Sequence, residues 1–111
     1  MHVVRFADAP EYEAQNHVGV VARRIQGREA GGPSTVYVSI SEYPPGAGGQ
    51  STIGQSGVIY VVLEGRMRIV SAGQQLDLTT GDSVSFAVGE DRAAFNVTQQ
   101  PARLLVIHES R

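Results

Sequence analysis

The 111-residue sequence contains no cysteine, no lysine and no tryptophan. Without cysteine there are no disulfides, no thiolate metal sites and no cysteine nucleophile. Without lysine there is no Schiff-base chemistry and no P-loop lysine. Aromatic residues make up only 6% of the chain, and nine arginines stand against 11 acidic residues for a net charge of −2. Nucleic acid and anionic membrane surfaces both require clustered positive charge, so neither is an expected partner. No apolar run approaches the ~20 residues of a membrane span. Met1 to Phe6, with Arg5 inside it and Asp8 just after, has no signal-peptide core. The composition predicts one soluble, cytoplasmic domain over residues 1–111, large enough to bury roughly 65% of its unfolded surface.

What is present is punctuation: 13 glycines and five prolines divide the chain into short runs. The runs are rich in Val, Ile, Tyr, Phe and Thr, the composition of strands. They cover Val3–Phe6, Val18–Ile25, Thr35–Tyr43, Val58–Leu63, Arg66–Ser71, Gln74–Leu78, Ser83–Val88, Arg92–Val97 and Arg103–His108. No segment holds a helical period for the ten or so residues a stable helix needs, and the one short candidate, Ala7–Asn16, is interrupted by Pro10. Glu64-Gly65 and Ala72-Gly73 predict tight hairpins, since glycine accepts the positive φ such turns demand. Thr79–Asp82 predicts a further turn, and Pro44–Gly49 a loop at a barrel rim. Nine or ten short strands at close spacing predict an all-β sandwich or barrel.

Two segments then resemble the paired motifs of the cupin family, small jelly-roll β-barrels. The first motif, G-x5-H-x-H-x3-E-x6-G, is matched at its glycines by Gly46 and Gly65, ending in Tyr60-Val61-Val62-Leu63-Glu64-Gly65. The second, G-x5-P-x-G-x2-H-x3-N, is matched at Gly81, Gly89 and Asn96. The resemblance implies a cupin-type jelly roll of about ten short strands. In metal-binding cupins two histidines, a carboxylate and a third histidine converge on one ion. The corresponding positions here are Thr52, Gly54, Val58 and Arg92, with Ala87 in place of the motif proline. None of the four is an ordinary ligand for a transition metal, and a guanidinium repels a cation. The expectation is therefore a barrel with no metal and no other cofactor.

With Val58 at the family's inward ligand position, strand parity turns Tyr60 and Val62 inward with it and puts Arg92, Ala94 and Asn96 together on one face, Arg92 being the one cation expected near the family's metal centre. Arg92, Tyr60, Thr52 and Asn96 are the expected ligand-binding residues, with Arg92 offering a bidentate fork to a carboxylate or phosphate. Tyr60 could orient a carbonyl or hydroxyl, or donate a proton if its pKa were lowered. The alternative for Arg92 is a solvated pairing with Glu90 and Asp91, and for Asn96 a structural bond at a barrel corner. His2, His17 and His108 share no ligand spacing, though His17 or His108 could serve as acid or base at the cavity mouth. Of Arg23 and Arg24, neighbours on a strand, at most one can enter the pocket.

No nucleophile elbow is present, since Gly54-Gln55-Ser56-Gly57 lacks the strand-turn-helix setting. No pair of glycosidase carboxylates can be placed from the sequence. Two functions follow. The first is a metal-free, non-catalytic barrel that binds a small organic anion. The second, implied by the resemblance to cupins that act without a metal, is a metal-independent isomerase, epimerase or dehydratase acting on a sugar-like or carbonyl substrate. The doubly apolar strand Val58–Leu63 further predicts a homodimer.

Overall fold

The computed structural model describes residues 1–110, and its regular structure is antiparallel strands with two short 3-10 turns. In chain order the strands are β1 (Glu11–Tyr12), β2 (His17–Val18), β3 (Val21–Gln26), β4 (Val36–Tyr43), β5 (Gly48–Gly49) and β6 (Thr52–Ile53). There follow β7 (Val58–Glu64), β8 (Arg66–Ser71), β9 (Gln74–Thr79), β10 (Ser83–Phe86), β11 (Asp91–Phe95) and β12 (Ala102–Glu109). One sheet runs β1-β3-β4-β12-β7-β10; the other runs β2-β5-β11-β8-β9, with β6 joined to β11. The fold is the all-β jelly roll expected. No helix among the described residues is long and apolar enough to cross a membrane.

Several local expectations change. Val3–Phe6 forms no strand: Phe6–Asp8 is a 3-10 turn, and the Phe6 ring lies 5.5 Å from the Arg23 guanidinium and 4.9 Å from that of Arg103. The segment covers the sheet with a side chain instead of pairing its backbone. Ala7–Asn16 is not helical either, because Glu11–Tyr12 pairs with Ala22 and Arg23. The run Val18–Ile25 breaks at Gly19 (φ 78°), so that β2 joins one sheet and β3 the other. Glu64-Gly65 is a corner between sheets, not a hairpin, since β7 and β8 belong to different sheets. Gly65 passes so close to the next turn that a Cβ there would lie 2.6 Å from the Pro101 carbonyl. Ala72-Gly73 is the hairpin expected, both residues having positive φ. Gly48–Gly49, expected as loop, pairs with β11 and β2, because only a glycine admits the Phe95 ring at this distance.

The core lies between the two sheets. Leu104 and Met67 are completely buried there, joined by Val62, Ile69, Phe86 and Tyr43. The inner face of β4 (Val36–Tyr43) is lined differently. The inward positions are Tyr37, Ser39, Ser41 and Tyr43, and the outward ones Val36, Val38, Ile40 and, at the end, Glu42 paired with Arg103. Ordinary barrels alternate apolar inside with polar outside. Here a polar interior is set against an apolar exterior, and the inversion opens a cavity.

Candidate functional site

The cavity has a volume of about 720 Å³, is lined by strands of both sheets and borders the core, sharing Tyr43 and Val106 with it. That volume falls in the range of small-molecule sites, ~300–1,000 Å³. All four tyrosines of the chain, Tyr12, Tyr37, Tyr43 and Tyr60, line it. None of the three phenylalanines does. Concentrating phenols in this way provides flat apolar faces and hydroxyl groups together.

Arg92 enters the cavity from β11 and is only 9% exposed. The solvated pairing with Glu90 and Asp91 is not formed; those carboxylates bond the backbone of Ala87 and Ala72 instead. The Arg92 Nε donates to the Tyr60 hydroxyl at 3.1 Å, while its Nη1 is buried without an acceptor. No carboxylate forms an ion pair with Arg92 among the described residues. The guanidinium therefore does not present the bidentate fork that its residue type suggests. With Nε committed to Tyr60 and Nη1 shut away, Nη2 is the nitrogen left for a ligand. The Tyr60 hydroxyl, acting as acceptor toward Arg92, keeps its own hydrogen for a ligand oxygen. A lowered Tyr60 pKa does not arise: burial raises it, with the nearby Arg92 charge opposing. The phenol stays protonated at neutral pH and acts as a hydrogen-bond donor.

His108 reaches the same cavity from β12. Tyr60 pairs with Val106 across β7 and β12, which makes His108 the diagonal neighbour of Tyr60 on the inward face. The imidazole stacks on Tyr37, with centroids 4.7 Å apart and planes 10° apart, and its Nδ1 has no partner. Burial, reinforced by Arg92, Arg24 and Arg28, depresses its pKa to about 4. His108 is thus neutral at pH 7. Protonation is easier in the unfolded chain, where a histidine titrates near 6.5. The unfolded state consequently binds more protons between about pH 4 and pH 6.5, so stability falls as pH drops through that window. Wild-type melting temperature is expected to decline more steeply over this range than that of His108→Phe, which retains the stack. Parallel pH profiles for the two proteins would refute the assignment.

The remaining expected residues separate. Thr52 lies opposite Arg92 in the β6–β11 pair and lines the cavity. His17 lines the mouth, its Nδ1 2.6 Å from the Gln15 carbonyl oxygen. Asn96 does not line the cavity. Its amide donates to the carbonyls of Tyr43 (2.8 Å) and Gln100 (2.7 Å), and its Oδ1 accepts from the Thr98 N–H and hydroxyl. With those groups engaged, the side chain is a barrel-corner clamp.

Strand parity from the motifs alone misses the wall facing Arg92. Arg24, 5% exposed, donates from Nε to Glu29 at 3.0 Å. Its guanidinium lies 3.9 Å from the Tyr12 ring centroid and 4.7 Å from that of Tyr37. Arg28 sits 3.7 Å from the Tyr37 centroid. Arg23 points to the other face and pairs with Glu11 at 2.9 Å. Three carboxylates that no sequence motif marks, Glu13, Glu29 and Glu109, also line the cavity. Glu29 is held below the usual carboxylate range by its own backbone bond and by Arg24. The sequence signal for this wall was the Tyr-x-Ser-x-Ser-x-Tyr alternation of residues 37–43.

The four motif positions do not fit a metal ion. Thr52, Gly54 and Val58 supply no imidazole or carboxylate, and the fourth position holds a permanent cation packed against Gly54. Among the described residues no group of three or more His, Cys, Asp or Glu could hold one.

Comparison with known proteins gives a consistent result. The model of a family described as Cupin domain matches residues 39–108. A protein of Mycobacterium tuberculosis named beta-D-galactosidase is 38% identical over 106 residues, covering 96% of this chain and 91% of that one. Two solved structures share the fold across the whole chain. The polyketide cyclase RemF of Streptomyces resistomycificus has a TM-score of 0.87 at 18% identity, with 80% of its own chain covered. A predicted oxalate decarboxylase of Thermotoga maritima has a TM-score of 0.84 at 19% identity, with 100% of its chain covered.

Proposed function

The chain belongs to the cupin family, and from that premise we propose that its cavity binds a small, sugar-like organic anion without a metal. One observation carries the proposal: Arg92 is a buried cation with no counter-ion among the described residues, in a cavity lined by four tyrosines. A buried unpaired charge is costly, and an anion brought by a ligand relieves that cost. Tyrosine faces and hydroxyls suit a polyhydroxylated ring. The ligand's acidic group would sit against Arg92 Nη2 and the Tyr60 hydroxyl, with Thr52 beside them. Calorimetric titration of chelator-treated protein with D-galacturonate, D-glucuronate and D-galactose tests the proposal. Binding of an acid, tighter than that of the neutral sugar, is expected; indifference to all three would overturn it.

Turnover is the second reading, favoured by the neutral His108 and by the cavity carboxylates Glu13, Glu29 and Glu109. The relative named beta-D-galactosidase directs it toward glycosides in preference to the isomerisation, epimerisation or dehydration considered from sequence. Release of nitrophenol from its β-D-galactoside, undiminished by chelator, would establish turnover. Complete inertness toward galactosides and galacturonides would leave binding alone.

Pairing of two copies belongs to the same proposal. Val38, Ile107 and Ile59 form one register row on the outer face, and Ile40, Leu105 and Val61 the next. Ile59 is 42% exposed and Leu63 39%. A second copy of the same apolar face is the symmetric way to cover it. Light scattering at micromolar concentration is expected to give twice the chain mass, and Leu105→Arg to give a monomer. A monomeric wild type would remove the pairing.

A further inference from the structure

Gly54 follows β6 and is buried, yet its φ lies outside the left-handed region. Its backbone conformation does not call for glycine. The space beside it does. A Cβ built at Gly54 would run into Arg92 Nη1, and would lie 2.9 Å from Cζ and 3.1 Å from Nη2. The guanidinium therefore occupies the volume that any other residue at position 54 would fill. Opposite this contact, Arg92 Nε is tied to the Tyr60 hydroxyl. Arg92 thus fills the space that Gly54 leaves free and is tied to a phenol.

We propose that Gly54 is a positioning residue of the ligand site, whose lack of a side chain holds the Arg92 guanidinium against Tyr60. The proposal deepens the anion-binding assignment and rests on it for the ligand readout only. The Arg92 guanidinium is the far end of a flexible side chain, so a methyl group at position 54 displaces it instead of unfolding the barrel. Displacement separates Nε from the Tyr60 hydroxyl, and the two donors no longer converge on one anionic oxygen pair. Because the contact is between residues 54 and 92, the two substitutions are not additive.

The test uses the wild type, Gly54→Ala, Arg92→Ala and the double variant. Without ligand, Gly54→Ala is expected to lower the melting temperature in the presence of Arg92 and to leave it nearly unchanged in the Arg92→Ala background. A slowly exchanging arginine Nε–H resonance, visible by nitrogen-15 NMR in the wild type, is expected to vanish in Gly54→Ala and in Tyr60→Phe. With D-galacturonate as the probe, Gly54→Ala is expected to weaken binding roughly tenfold or more. An equal loss of melting temperature with and without Arg92, or persistence of the Nε–H resonance in Gly54→Ala, would overturn the positioning role. Failure of the wild type to bind any sugar acid would instead overturn the anion assignment, while the thermal cycle and the resonance still decide for Gly54.

Discussion

Arg92→Ala is expected to abolish the response of this protein to sugar acids while leaving the barrel folded. Loss of the charge removes the partner of the ligand's acidic group, at a cost in binding of about 2–5 kcal/mol for a desolvated pair. Ligand-free stability moves little, because two effects oppose each other. The void left by the side chain destabilises. Removal of a buried cation that has no counter-ion among the described residues stabilises. Arg92→Lys should recover only part of the binding, since an ammonium cannot donate to Tyr60 from the Nε position while also reaching the ligand. Titration of the three proteins with D-galacturonate, alongside their melting temperatures, measures both quantities. Equal affinities in wild type and Arg92→Ala would place the anion elsewhere.

Asn96→Ala is expected to do the reverse: a large loss of stability with the ligand affinity of the folded fraction unchanged. The Asn96 side chain is 1% exposed and joins the Tyr43 carbonyl to the Gln100 carbonyl and to Thr98. Truncation takes the amide donor from the Tyr43 carbonyl and the acceptor from the Thr98 N–H, while the Gln100 carbonyl keeps the Thr98 hydroxyl; each buried polar group left unpaired costs about 1–3 kcal/mol. A total near ~3 kcal/mol is a large share of the 5–15 kcal/mol that holds a domain of this size. The melting temperature should accordingly fall by on the order of 15 °C. Asn96→Asp should be milder in volume but still costly, because a carboxylate cannot donate to the two carbonyls. Denaturant unfolding of each variant gives the stability, and titration below the melting transition gives the affinity. A stable Asn96→Ala protein with weakened ligand binding would return Asn96 to the cavity.

The contrast between Arg92 and Asn96 shows where local information runs out. Both follow β-parity on the same strand face, and both are buried. Parity is a property of the backbone, so it was legible from residue spacing alone. What each side chain meets depends on which end of the barrel its strand position occupies. Asn96 lies where the corner carbonyls of Tyr43 and Gln100 converge; Arg92 lies where Tyr60 and Gly54 flank an open space.

The sequence by itself determined the strand-rich fold, the family motifs, and the lack of imidazole or carboxylate at the four motif positions Thr52, Gly54, Val58 and Arg92; it left Arg92 open between the cavity and a solvated pairing. These follow from period-two patterning and from side-chain chemistry, which act over a few residues. Only the tertiary structure decided that the Glu64-Gly65 turn is a corner between sheets and that Gly48–Gly49 pairs as a strand. It alone brought His108, Arg24 and all four tyrosines around one cavity. It also spent two of the three Arg92 guanidinium nitrogens, one on Tyr60 and one in a buried contact without an acceptor. The physical reason is the same throughout. Those features depend on contacts between residues far apart in the chain, and such contacts exist only once the two sheets have closed on each other.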